Sequence, residues 1–372
     1  MEITVQTIQA LAFSIPAACA LVCLVMLLLD ISFSRKSREE KQLRFFLSLT
    51  FGVAALCWLG LVLQVINHRA FACYSSVFLL TLMLDQILIY RFVHIITDTS
   101  GGNSRFSRLH YLVPVLLTVV SVTTGLIVPV EQKEAVIYGS GVGNRWFAVL
   151  YGLTGIVFVV YNTLYPILGR FRIRRYRRGI ADYSADAQRT SLNWLRIILA
   201  LTLITIPVPL FGMLFNVDVF SGFYSSMQGV LPSFFVYPIL CYNLLSDNYV
   251  VIVPDDENLP DNAAAEIDPK RFARYLRDKK PYLNPQLRIT DVADDLHSNR
   301  NYVSSFINKT YGMNFSRLIN RNRLKELKRL RLSPDHSEKD NLELVLMAGF
   351  SSYRSYLRVK NREDKMSVLK EF

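Results

Sequence analysis

The chain has 372 residues, 51% of them hydrophobic, and a formal net charge of +12. That apolar content is too high for a single soluble domain, and it is concentrated before residue 246. Residues 1–268 carry 19 Lys+Arg against 18 Asp+Glu, whereas residues 269–372 carry 23 against 12, so an apolar neutral stretch is followed by a small basic one.

Seven apolar segments approach or exceed the ~20 residues a helix needs to cross a bilayer. They are expected at 8–33, 43–66, 71–97, 109–130, 146–169, 192–216 and 220–245. The first lacks a basic leading region and is longer than the apolar core of a signal peptide, so it reads as a retained span. Lys and Arg accumulate on the cytoplasmic side of such loops. The first, third and fifth loops hold 14 of them, among them Arg35, Arg44, Arg105 and Arg170, while the even loops hold 3, namely Arg69, Lys133 and Arg145. This imbalance puts the N-terminus outside, and an odd number of spans leaves the C-terminal part in the cytoplasm. The run RFRIRRYRRG at 170–179 reads as an anchor for anionic headgroups, with a nucleic-acid arm as the other use of such charge.

Polar residues inside the spans mark where a signal would be sensed. Asp85 and Gln86 fall near the middle of the third span, with Arg91 and His94 closer to its cytoplasmic end. Asn162 in the fifth, Arg196 in the sixth and Gln228 in the seventh are further candidates. A ligand or proton site and a structural hydrogen-bond network between helices are both compatible with these residues. Pro207, Pro209, Pro232 and Pro238 would break helical hydrogen bonds in the last two spans. The five cysteines, Cys19, Cys23, Cys57, Cys73 and Cys241, all lie in apolar segments and read as buried small hydrophobes rather than a disulfide framework. No zinc-protease, phosphate-loop or triad pattern occurs, and no repeated halves suggest a transporter, so neither enzyme chemistry nor a metal or cofactor is expected.

From Ser246 to Asp268 the chain turns acidic and loses its apolar period, which suits a short ordered exit at 249–253 and then a flexible tether. Beyond it, Phe272, Tyr275 and Leu276 form the stripe of a first helix that Pro281 closes. Ile289, Val292, Ala293 and Leu296 then share one face of a short helix. A turn is expected at His297 and Ser298, with Ser298 capping a second helix that buries Val303, Phe306 and Ile307. This leaves Asn299, Arg300, Asn301, Ser304, Ser305 and Lys309 outward, side-chain types that read base edges and hold phosphates. A long connecting helix follows, studded with Arg317, Arg321, Arg323, Lys325 and Lys328; of these, Arg321 and Arg323 are expected at phosphates. A last pair of helices would turn at Gly349, bury Phe350 and present Ser352, Tyr353, Arg354 and Arg358.

Residues 281–358 resemble the DNA-binding domain of AraC-type transcription regulators. The blocks PYLNPQLRITDVADDL, NRNYVSSFINKTYGMNF, LINRNRLKEL and AGFSSYRSYLR follow in the family's order and spacing. The resemblance covers about the last quarter of the chain. It implies two helix-turn-helix units joined by a long helix, whose two reading helices enter successive major grooves ~34 Å apart. This chain departs from the family pattern at Lys360, Asn361, Arg362, Lys365 and Val368, and at Val345, so the second unit is expected to bind weakly or through phosphates alone.

The expected architecture is therefore all-α: a seven-helix transmembrane bundle (1–245), an acidic linker (246–268) and a cytoplasmic domain with two helix-turn-helix units (269–372). The expected function is one-component transcription regulation from the bacterial inner (cytoplasmic) membrane, with double-stranded promoter DNA, the lipid bilayer and a signal ligand or protein as partners. A homodimer would suit paired operator sites. The competing reading is a membrane receptor whose C-terminal domain docks a protein or a lipid surface.

Overall fold

The computed structural model describes residues 5–34, 38–98, 106–139, 142–186, 189–205, 223–250, 267–336 and 338–368. Among these residues the protein is all-helical, with no strand and one isolated antiparallel bridge. The chain divides into two compact units, one made of residues 1–97, 105–173 and 193–247, the other of residues 98–104, 174–192 and 248–372.

The first unit contains α1 (Val5–Phe33), α2 (Arg38–Ile66), α3 (His68–Ile96), α4 (Leu112–Ile127), α5 (Val130–Tyr138), most of α6 (Arg145–Gly179), α7 (Asn193–Thr205) and α8 (Phe223–Leu245). Five stretches, Gln6–Phe33, Glu40–Ile66, His68–Ile96, Arg108–Ile127 and Arg145–Asp182, are long and apolar enough to cross a bilayer. Their surfaces invert the soluble pattern. Leu11, Val22, Leu29, Leu116 and Ile156 face outward, whereas Ser75, Thr81 and Gln86 are buried. Lipid is the solvent that makes this distribution favourable, so the chain is a membrane protein.

Helix α1 packs on α2, α2 on α3, and α8 on both α1 and α7. One residue, Asn67, joins α2 to α3; its side chain accepts from the Ala70 N–H at 3.0 Å and so caps α3. The two helices approach closely at Gly60, where an added Cβ would lie 2.4 Å from the Phe78 ring. At the other end of α2, Arg44 is fully buried. Its guanidinium pairs with Asp30 of α1, donates to Asp247 Oδ1 at 2.8 Å and to the Leu244 carbonyl at 3.2 Å, tying three helix ends together.

The expected sixth span begins as α7, and residues 206–216, with Pro207 and Pro209, lie outside the described residues. Of the expected seventh, α8 supplies 223–245 and continues as one helix through Pro232 and Pro238.

The second unit contains α9 (Pro269–Asp278), α10 (Ile289–Asp295), α11 (Arg300–Tyr311), α12 (Phe315–Leu332), α13 (Asn341–Met347) and α14 (Tyr353–Val368). Asp268 caps α9 by accepting from the N–H groups of Lys270 and Arg271, and Pro269 sits at the first helical position, where no N–H is needed. Phe272 of α9 meets Phe306 and Tyr311 of α11 at ring separations of 5.1 and 5.9 Å. Leu327, Leu330, Leu344, Val345, Ala348, Phe350, Tyr356 and Val359 form a second core around the far end of α12.

Residues 174–192 also belong to this unit, a membership that a boundary at 245 or 269 misses. Tyr183, Ser184, Ala185 and Asp186 are all buried. Of the linker, Tyr249 and Val250 are buried, and the Tyr176 hydroxyl donates to the Val250 carbonyl at 2.7 Å. The rest of the expected ordered exit, 251–253, and the tether after it as far as 266 lie outside the described residues.

Candidate nucleic-acid interface

Helices α10 and α11 meet at a tight turn in which His297 adopts φ +52, a left-handed conformation that reverses the chain. Asp291 closes the start of α10 by accepting from the Arg288 N–H at 2.8 Å. Ile289, Val292, Ala293 and Leu296 are buried as their spacing requires, and so are Val303 and Ile307 of α11. The opposite side of α11 is left to solvent: Asn301, Ser305 and Lys309 are exposed, and Arg300 and Ser304 are half-buried.

The cap of α11 is one residue later than expected. Asn299 Oδ1 accepts from the Tyr302 N–H at 2.9 Å, whereas Ser298 is buried and its hydroxyl has no partner among the described residues. Asn299 therefore spends its acceptor on the helix end and is not a wholly free reading group.

Arg323 also departs from expectation. It is 1% exposed and faces the interior of the unit, so it cannot hold a phosphate. Its guanidinium donates to the carbonyls of Tyr282 at 2.8 Å, Asn284 at 2.7 Å and Ala185 at 3.1 Å, and to Asn320 Oδ1 at 3.1 Å. Burial disfavours the charged form and pushes its pKa down to about 10, with the neighbouring Asp186 acting in the opposite sense. Two residues earlier, Arg321 is exposed and pairs with Glu363 of α14 at 3.2 Å, and Arg317 holds the same carboxylate at 2.8 Å. Lys325 and Lys328 are exposed on the same helix.

The last helix pair turns at Gly349, φ +90, and buries Phe350. Tyr353 and Arg354 are exposed at the start of α14, and Ser352 and Arg358 are half-buried. Asn341 of α13 donates to the Tyr353 hydroxyl at 3.3 Å, which orients that ring. Val345 is fully buried in the core.

Two carboxylates brace the unit. Asp295 accepts from the Tyr275 hydroxyl at 2.8 Å and from Lys279 at 3.1 Å, and these bonds hold it below the usual carboxylate range. Glu326 is held low in the same way by Arg329 and Lys280.

The described sensing candidates lie on three helices, α3, α6 and α7. In α3, Gln86 donates to Asp85 Oδ2 at 3.3 Å, and the other carboxylate oxygen is buried without a partner among the described residues. Arg91 stacks over Phe46 at 4.0 Å and donates to the Tyr111 hydroxyl at 3.2 Å. Asn162 bonds the Phe158 carbonyl of its own helix, and Arg196 is exposed beside Asn193. The Gln228 side chain lies outside the described residues.

What the sequence pattern misses is the segment 183–186, which lies along the start of α10. The Ile289 N–H donates to the Tyr183 carbonyl at 2.9 Å and the Ala185 N–H to the Leu287 carbonyl at 3.3 Å, forming the Ser184–Arg288 bridge. No local period signals this, because each partner is about a hundred residues away. Compared with known proteins, the chain matches no family model, no curated protein and no solved structure.

Proposed function

We propose that the protein is a one-component transcription regulator, in which a seven-span bundle senses a signal and an AraC-like domain binds promoter DNA. The observation that carries this is the division of α11 into two sides: Val303 and Ile307 are sealed in the core, while Asn301, Ser305 and Lys309 are exposed and Arg300 is half-buried behind a left-handed turn. A short helix anchored on one side, with arginine, asparagine, serine and lysine on the other, has the chemistry to enter a major groove. The surplus of Lys and Arg in residues 269–372 supports the phosphate contacts such docking needs. The charge bias of the loops supports an outside N-terminus and a cytoplasmic reader. α13, its Gly349 turn and α14 would form the second helix-turn-helix unit, with Tyr353, Arg354 and Arg358 presented to the duplex.

A signal acts on such a protein by binding two conformations of the bundle differently. The test is selection of random duplexes by the full-length protein in lipid nanodiscs at fixed, near-physiological salt. One enriched motif is expected, and Arg300→Ala with Asn301→Ala should lose ~1–3 kcal/mol per base contact on it. Salt-sensitive retention without enrichment would instead leave a basic docking surface for protein or lipid.

A further inference from the structure

The loop between α6 and α7 is built into the unit that carries both expected reading helices. Its residues 183–186 touch the first helix pair, the connecting helix and the turn of the last pair. They bond the backbone on either side of Arg288 at the start of α10. Tyr183 lies under the Arg300 guanidinium, 5.9 Å from ring centre to carbon, at the first position of α11. The Ala185 carbonyl accepts from Arg323 and from Asn320 of the connecting helix α12. Asp186 Oδ1 accepts from the Ser351 hydroxyl at 3.4 Å, just after the Gly349 turn. Arg323 is the hub, because the same guanidinium also holds the 282–284 loop and lies 6.0 Å from the Phe350 ring of the last helix pair.

A strap bonded to the first helix pair, the connecting helix and the second turn removes the freedom of the two pairs to hinge about α12. We infer that residues 183–186, fastened by Arg323, are a positioning element that fixes the distance between the two readers and so selects the half-site spacing the protein accepts. This rests on the DNA-reading role proposed above. Because the strap is entered from α6 and left into α7, it also connects two apolar helices covalently to the reader, independently of the linker at 246–268.

The bridge geometry supplies the test. Ser184 and Arg288 face each other as a non-hydrogen-bonded antiparallel pair, a pairing in which Cα atoms typically stand about 4.5 Å apart, within disulfide reach. The full-length protein in nanodiscs is measured on duplexes carrying the selected half-sites at the best spacing, at spacings one and two base pairs away, and on a single half-site. Four forms are compared: native, Arg323→Met, Ser184→Cys with Arg288→Cys oxidised or reduced, and all three changes combined. Arg323→Met should lower affinity at the best spacing about tenfold, flatten the spacing preference and leave the single half-site unchanged, since a freer pair lowers the effective concentration of the second reader. Oxidation of the combined variant should restore the preference, and reduction should remove it again. If Arg323→Met does not fold, Asn320→Ala, which removes one bond to the Ala185 carbonyl, takes its place. An unchanged spacing profile would overturn the inference alone. So would an equal loss on every duplex without rescue by the crosslink, or failure of the disulfide to form. A native protein that enriches no sequence would overturn the regulator reading and this inference with it.

Discussion

Gly349 lies directly against the backbone carbonyl of Tyr282: a Cβ added there would stand 2.3 Å from that oxygen and 2.7 Å from Leu283 Cα. The contact joins the turn of the last helix pair to the loop that Arg323 holds, so the two halves of the unit meet backbone to backbone. Gly349 also adopts φ +90, where L side chains are strained. Gly349→Ala should therefore destabilise this unit by more than ~2 kcal/mol, combining the strain with a clash against backbone that cannot rotate away. Thermal unfolding of the full-length protein should show the transition of this unit shift down; an unchanged transition would mean that the close approach is absent.

Asn299 and Arg300 are neighbours with separate jobs. The capping bond of Asn299 predicts a loss of about 1 kcal/mol of stability in Asn299→Ala, and near-native stability in Asn299→Ser, because serine can accept from the same N–H. DNA sequence preference should survive Asn299→Ser and be relaxed by Arg300→Ala. Urea unfolding and binding to the selected duplex, measured on the same preparations, separate the two effects. If Asn299→Ser changes the preferred sequence, Asn299 is a reading group after all.

Arg321 and Arg323 are two residues apart and face opposite environments, one exposed and one 1% exposed. Replacing Arg321 with Ala should weaken binding to all duplexes alike and reduce the salt dependence by about one released ion. A salt slope equal to that of the native protein would show that Glu363 keeps Arg321 off the phosphates.

Acid should weaken the second unit through Glu326. Its folded-state pKa lies below the ordinary carboxylate value because Arg329 and Lys280 stabilise the charged form. A depressed value means that the stabilisation is fully present above the unfolded-state pKa of about 4.3 and is lost as pH falls through the folded-state value. Glu326→Gln should remove this part of the acid dependence and lower stability at neutral pH. Unfolding measured between pH 7 and pH 3 checks it; parallel curves for the native protein and the variant would exclude Glu326 as a contributor.

Arg44 is fully buried and serves Asp30, Asp247 and the Leu244 carbonyl at once. Arg44→Ala should cost on the order of 3 kcal/mol, because it removes the buried charge that Asp30, Asp247 and the Leu244 carbonyl share. Melting in detergent reports this directly, and Arg44→Lys should recover only part of the loss, since an ammonium cannot reproduce the guanidinium fork. A native melting temperature in Arg44→Ala would show that the cluster adds nothing.

Local pattern was enough for much of this protein. Runs of apolar residues located five long lipid-compatible helices, because in hydrocarbon the helix satisfies its own backbone and needs no distant partner. The 3.6-residue period determined the buried side of α10 and α11, and a glycine followed by phenylalanine marked the turn before α14. Arg323 and the strap lay beyond that reach. Arginines 321 and 323 look alike in a basic helix, and only the fold turns one of them inward to carbonyls 41 and 138 residues away along the chain. The cap at Asn299 rather than Ser298 was likewise decided by the backbone path through His297. The candidate sensing residues show the same limit, since Asp85, Asn162 and Arg196 belong to different helices whose mutual placement no local spacing encodes. Periodicity records the contacts a residue makes within its own helix, and tertiary structure alone decides which remote backbone a buried charge must find to be stable.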